Sequence, residues 1–170
     1  MDSSDCGRNG AVLMLIKIKE FLLVGLFIVF ILFINKQTVF VEVDMKTITT
    51  ELSKEAGLEE MQEFSASRAK ADLGINVNEY KDVAYYGHES IMECETLLII
   101  CLKDGSQGDE LIERIEKQRA GLMNLFQSYA PDQYELLANS ILDIKGNYVF
   151  YIVSENAEEI AQLFVDCITE

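Results

Sequence analysis

The chain has 170 residues, enough for one domain and an appendage but not for two large domains. Its 29 acidic against 14 basic residues give a net charge of −15. Such a surface is repelled by phosphate backbones and gains nothing from counterion release, which argues against nucleic-acid binding. A solvated acidic face is the simplest reading of the charge, and no D-x-[DN]-x-[DN]-G loop supports a calcium site.

Phe21 to Ile34 (FLLVGLFIVFILFI) carries no charged residue. As a helix this core rises about 21 Å, short of a hydrocarbon thickness of roughly 30 Å. Extending it to residues 18–36, with Lys19 and Lys36 snorkelling outward, brings it to membrane-spanning length. Asn35-Lys36-Gln37-Thr38 follows where a cleaved signal peptide needs small residues, and no Cys between Cys6 and Cys94 offers a lipid attachment point. An uncleaved signal anchor contacting membrane lipid is therefore expected, preceded by a stub of residues 1–17. Arg8, Lys17 and Lys19 precede the span, so the stub is expected in the cytoplasm and the rest outside. Met14 opens a conventional anchor (M-L-I-K-I-K), which makes it a second candidate start.

Residues 37–44 read as a linker or short strand, Thr38 to Val43 alternating apolar and polar. Asp44 then caps a helix over 45–56 with Met45, Ile48, Leu52 and Ala56 on one face and Gly57 as its stop. A weaker helical pattern covers 59–73 and ends at Gly74. From Tyr80 the pattern turns to strand, first Val83 to Tyr86, then a break at Gly87-His88-Glu89, then Cys94 to Lys103. The run LLIICL in the latter reads as a strand buried on both faces or deep in a sheet. The clearest helix spans 109–129, with Leu111, Ile112, Ile115, Leu122, Met123 and Phe126 in one stripe. Pro131 sets a boundary. Ile141 to Lys145 and Tyr148 to Val153 flank Gly146-Asn147, a hairpin turn able to take positive φ. Asn156 can cap a last helix to about Ile168. This order predicts an α+β domain over 45–170: a mostly antiparallel sheet of about four or five strands with helices packed on one face, preceded by one transmembrane helix.

The cysteines at 6, 94, 101 and 167 form no C-x-x-C pair, and no His stands near enough for a zinc knuckle. Cys94 and Cys101 fall on opposite faces of a strand by period-2 geometry. Cys101 could meet Cys167 if strand and last helix pack together, but buried free thiols are the preferred reading.

Candidate chemistry is thin. No metal or cofactor site is expected, since neither a phosphate loop nor a dinucleotide fingerprint occurs. His88 is the only histidine, with Ser90 and Cys94 nearby, but residues that close along a strand seldom converge, and no nucleophile elbow is present. A solvated loop histidine is the default. Glu95, with Arg114 or Arg119 on the long helix, could form a structural ion pair or part of a polar pocket. Tyr129, Gln133 and Tyr134, clustered around Pro131, are the foremost binding candidates, because tyrosines combine contact area with a polar tip.

The segment Tyr129-Ala130-Pro131-Asp132-Gln133-Tyr134, with Gly146-Asn147-Tyr148-Val149, the acidic run into Glu95 and the long helix bearing Arg114, Gln118 and Arg119, resembles a domain of unknown function common in Gram-positive anaerobes. Those relatives usually sit on lipoproteins or a single N-terminal anchor, and the resemblance covers about Met45 to Phe164. It implies an envelope protein and no particular reaction. The function expected from all this is a non-catalytic, membrane-anchored extracytoplasmic binding or accessory protein, with an envelope protein as partner and an unknown ligand. The alternative is a hydrolase or transferase using a site near His88, Cys94 and Glu95.

Overall fold

The computed structural model describes residues 19, 21–27, 40–55 and 60–169 of the chain. It divides into two units, Met1–Thr38 and Val39–Glu170. In the first, Phe21 to Phe27 are helical and their apolar side chains exposed. The stub of residues 1–17 and most of the expected span 18–36 lie outside the described residues, as do residues 37–39 and Gly57. Among the described residues no helix is long and apolar enough to cross a membrane.

The second unit is built on two apolar strands. β3 (Thr96–Cys101) and β5 (Tyr148–Val153) lie side by side at the centre of an antiparallel sheet, in the register Leu98 opposite Tyr151. β2 (Asp82–Gly87) flanks β3, and β4 (Ile141–Lys145) forms the hairpin with β5. A two-residue strand β1 (Gln62–Glu63) completes the order β1-β2-β3-β5-β4. Gly146 takes φ 58° at the hairpin turn while Asn147 keeps a negative φ, so only the glycine uses the left-handed region.

Alternate residues of β3 and β5 enter separate cores. Leu98, Ile100, Val149, Tyr151 and Val153 pack with α2 (Ala66–Leu73), α3 (Gly108–Phe126) and α4 (Pro131–Ala138). Leu97, Ile99, Cys101, Tyr148, Phe150 and Ile152 pack with α1 (Met45–Glu55) and α5 (Ala157–Cys167). The α+β class and the antiparallel sheet agree with expectation; helices on one face do not. The reason lies in β3 and β5, which are apolar at successive positions, so both faces must be covered.

Four local differences follow from tertiary contacts. Phe40 to Val43 form no regular strand: Phe40 makes an isolated bridge with Thr169, the Val41 N–H donates to the Ile168 carbonyl at 2.8 Å, and Tyr148 Oη holds Val43. Among the described residues of 59–73 the α-helix is confined to the second half, after the strand Gln62–Glu63: it starts after Ser65, whose Oγ accepts from the Arg68 N–H, and ends at Gly74 with φ 67°. Pro131 starts α4 as well as ending the preceding segment, since its fixed φ and missing N–H suit the first helical turn. Asn156 makes no side-chain cap; its own N–H donates to Ser154 Oγ at 3.3 Å. Asp44 does cap α1, accepting from the Lys46 N–H at 3.2 Å.

Candidate functional site

Between α2, the end of β2, the loop 88–95 and the C-terminal half of α3 lies a cleft of about 370 Å3. It gathers His88, Ser90, Cys94 and Glu95 with residues from distant parts of the sequence: Phe64, Arg68, Asp72, Tyr85 and Leu125.

One wall is an aromatic and charged stack. Phe64 meets Tyr85 edge-on with ring centroids 5.0 Å apart, and the Arg68 guanidinium lies 5.0 Å over the Phe64 ring. Arg68 and Asp72 are four apart on α2 and pair there, while Tyr85 Oη donates to Asp72 at 3.2 Å. Burial, then the Asp72 charge, pushes the Tyr85 phenol far above its usual range. Gly87 permits this wall, because a Cβ there would come within 2.8 Å of the Phe64 ring.

The opposite wall is the loop. The Met92 N–H donates to Ser90 Oγ at 3.2 Å and the Glu93 N–H to the Ser90 carbonyl at 3.2 Å, closing a turn. That turn brings Glu93 and Glu95 back onto His88, with Nδ1 3.5 Å from Glu93 and Nε2 3.3 Å from Glu95. His88 is thus half-buried between two carboxylates rather than a solvated loop histidine. Cys94 points inward: its N–H donates to Gln133 Oε1 at 2.8 Å and its thiol to the Gln133 carbonyl at 3.4 Å. Burial, reinforced by the neighbouring Glu95, pushes that thiol up to about 11, so it is neutral at physiological pH.

The expected pairing of Glu95 with Arg114 or Arg119 is not formed. Each arginine has nearer acceptors: Arg114 donates to Glu110 at 2.6 Å and to the Gly74 carbonyl at 3.1 Å, and Arg119 to Ser140 Oγ at 3.3 Å with Glu116 at 3.7 Å. The two therefore fasten α3 to the end of α2 and to the residue before β4. The trio around Pro131 is also split. Gln133 is a fastener of the loop, Tyr134 is packed against the core, and only Tyr129 is exposed, its ring 5.6 Å from that of the cleft-lining Phe126. Arg68, Asp72 and Phe64 were not singled out from sequence. The Arg68–Asp72 spacing is visible there, but its approach to Tyr85 and His88 is set by the sheet.

Cys94, Cys101 and Cys167 are free thiols, Cys94 and Cys101 lying in the two different cores. Among the described residues no group of three or more His, Cys, Asp or Glu is placed to hold a metal ion. The Asp82 carboxylate accepts the Val83 N–H at 2.9 Å, and Asp143 accepts the Ile144 N–H at 2.8 Å while pairing with Lys145.

Residues 54–154, more than half of the chain, match the model of a domain of unknown function, DUF4358. The chain belongs to that family. The DUF4358 segment contains the sheet, α2 to α4 and every residue of the cleft; α1, except its last two residues, and α5 lie outside it. Neither a curated protein nor a solved structure matches the chain.

Proposed function

We propose that this DUF4358 protein is a membrane-anchored, extracytoplasmic binding or accessory protein of the cell envelope that catalyses no reaction. The observation carrying the binding reading is the state of the cleft. Arg68, Asp72 and Tyr85 satisfy one another, His88 is taken up by Glu93 and Glu95, and the Cys94 thiol is neutral. Around these self-satisfied groups Ile91, Leu125 and Tyr129 stand exposed, at 81%, 54% and 50%, as a partner-facing rim requires. Anchoring rests on the apolar run Phe21 to Ile34, whose side chains from Phe21 to Phe27 are exposed, and orientation on the basic residues before it. Its partners are then membrane lipid through residues 18–36 and an envelope protein at the cleft. The test is protease shaving of intact cells carrying a tag after Glu170, with crosslinked pull-down of the anchored chain. Loss of the tag and a reproducible partner that Leu125→Ser releases are expected. A shielded tag overturns the location, and a partner indifferent to Leu125→Ser overturns the cleft.

A second reading, a hydrolase or transferase, is favoured by one observation: the imidazole lies 3.3 Å from Glu95 in a cleft that Cys94 also lines. A His-based nucleophile system needs one ring nitrogen on a carboxylate and the other on the attacking group. Here both nitrogens face carboxylates, so the arrangement suits a structural link. Turnover of an ester, peptide or glycoside that His88→Gln abolishes would replace the first reading with the second.

A further inference from the structure

We infer that the cleft takes a basic, apolar-sided protein segment, with a lysine or arginine set against Glu93 and Glu95 and aliphatic side chains laid over Ile91, Leu122 and Leu125. This rests on the cleft being a binding site and adds the chemistry of its occupant.

Charge comes first. The cleft is lined by three carboxylates, Asp72, Glu93 and Glu95, against the single guanidinium of Arg68. Arg68 is committed to Asp72 and to the Phe64 face. Glu93 and Glu95 share one imidazole between them, and their side chains remain 51% and 34% exposed. The complement this wall lacks is a cation. Residues 37–170 carry 26 acids against 10 bases, so the long-range field steers cations in and keeps anionic polymers and lipid headgroups away. A second copy would bring the same carboxylates against these, which disfavours self-docking.

Shape and hydrophobicity decide the class of cation. A bare ion or small ammonium leaves Ile91 and Leu125 in water, and the described residues offer no three-ligand metal group. A segment that carries aliphatic side chains beside its charge covers both rims at once. The cleft is lined by side chains from α2, β2, the 88–95 loop and α3, so that segment is held by its side chains.

The experiment uses the purified full chain in uncharged maltoside micelles and three dye-labelled pentapeptides, acetyl-Leu-X-Leu-X-Leu-amide with X as Lys, Gln or Glu. Fluorescence anisotropy is the readout, and micelle partitioning is common to every chain compared. The Lys peptide is expected to bind about tenfold more tightly than the Gln peptide, and the Glu peptide least. Glu93→Gln with Glu95→Gln should bring the Lys peptide down to the Gln level and flatten its salt dependence, while Leu125→Ser or Ile91→Ser weakens both peptides. Equal affinity for Lys and Gln peptides that Leu125→Ser and Ile91→Ser still weaken overturns the cationic occupant and leaves the cleft standing. Peptide binding indifferent to all of these substitutions, or absent, overturns the occupant and the cleft together.

Discussion

The two faces of the sheet are made from alternate residues of the same strands, yet they are built differently. Under α1 and α5 the contacts are mostly apolar: Phe164 stacks on Phe150 with ring centroids 4.5 Å apart, and Ile48, Leu52 and Ile168 are fully buried. Under α2, α3 and α4 polar groups are threaded through the core. Tyr85 reaches Asp72, Cys94 reaches Gln133, Arg119 reaches Ser140, and the buried Tyr151 hydroxyl has no hydrogen-bond partner. Buried polar groups cost stability unless they are satisfied, so a face that carries them is not optimised for packing alone. The polar face falls within the DUF4358 segment, whereas the helices of the apolar face lie almost wholly outside it. Under the proposed binding role, stability rests mainly on one face and recognition on the other.

Breaking the apolar face should have the largest effect on stability and none on recognition. Phe164→Ala removes a ring in contact with Phe150 and Tyr148, and is expected to cost about 3–5 kcal/mol in denaturant unfolding. Partner capture by the fraction that remains folded should be unchanged; loss of capture in folded protein would erase the division between faces. On the polar face, Gln133→Ala leaves the buried Cys94 N–H without an acceptor and should cost about 1–3 kcal/mol. Its signature is local: faster amide exchange across 88–95 together with weaker capture. Slower or unchanged exchange there would show that Gln133 does not hold the loop.

Much of this division was legible in the sequence, and the illegible parts share one cause. The apolar stripes of α3 and α5, the glycine at 146 and the doubly apolar run from Leu97 to Leu102 are local signals, and each led to the right element. That run already required cover on both sides; placing all helices on one face ignored it. Glu95 could be seen to need a partner, but which one depends on how a turn at Ser90 folds the chain back onto His88. Convergence of His88 with Ser90 and Cys94 was discounted because residues so close along a strand seldom meet. The break expected at Gly87 to Glu89 is present, and the loop that follows it brings these residues to one cleft. Phe64, Arg68 and Asp72 reach the cleft through the pairing of β1 with β2, a contact set by sheet order and invisible to periodicity.

The smallest expected effect concerns the segment that enters the domain, where a tyrosine hydroxyl holds it on the mostly apolar face. Tyr148 Oη accepts from the Val43 N–H at 3.0 Å and donates to the Val43 carbonyl at 2.8 Å, so one hydroxyl holds both backbone groups of one residue. Phe40 and Val41 are tied by backbone contacts to Thr169 and Ile168, so residues 40–43 are a strap on the domain and not a free linker. Tyr148→Phe keeps the ring against Phe164 and removes the hydroxyl with its two hydrogen bonds to Val43, for a loss of about 1 kcal/mol. Burial raises the Tyr148 phenol above its ordinary value. The protonated form is therefore favoured by folding, and its contribution is intact at neutral pH and lost as pH rises through the folded value. The stability gap between the native and Y148F chains should accordingly be constant up to pH 9 and narrow above about pH 10. A gap that is absent at neutral pH, or that widens with alkalinity, would mean that the strap is held by its backbone contacts alone.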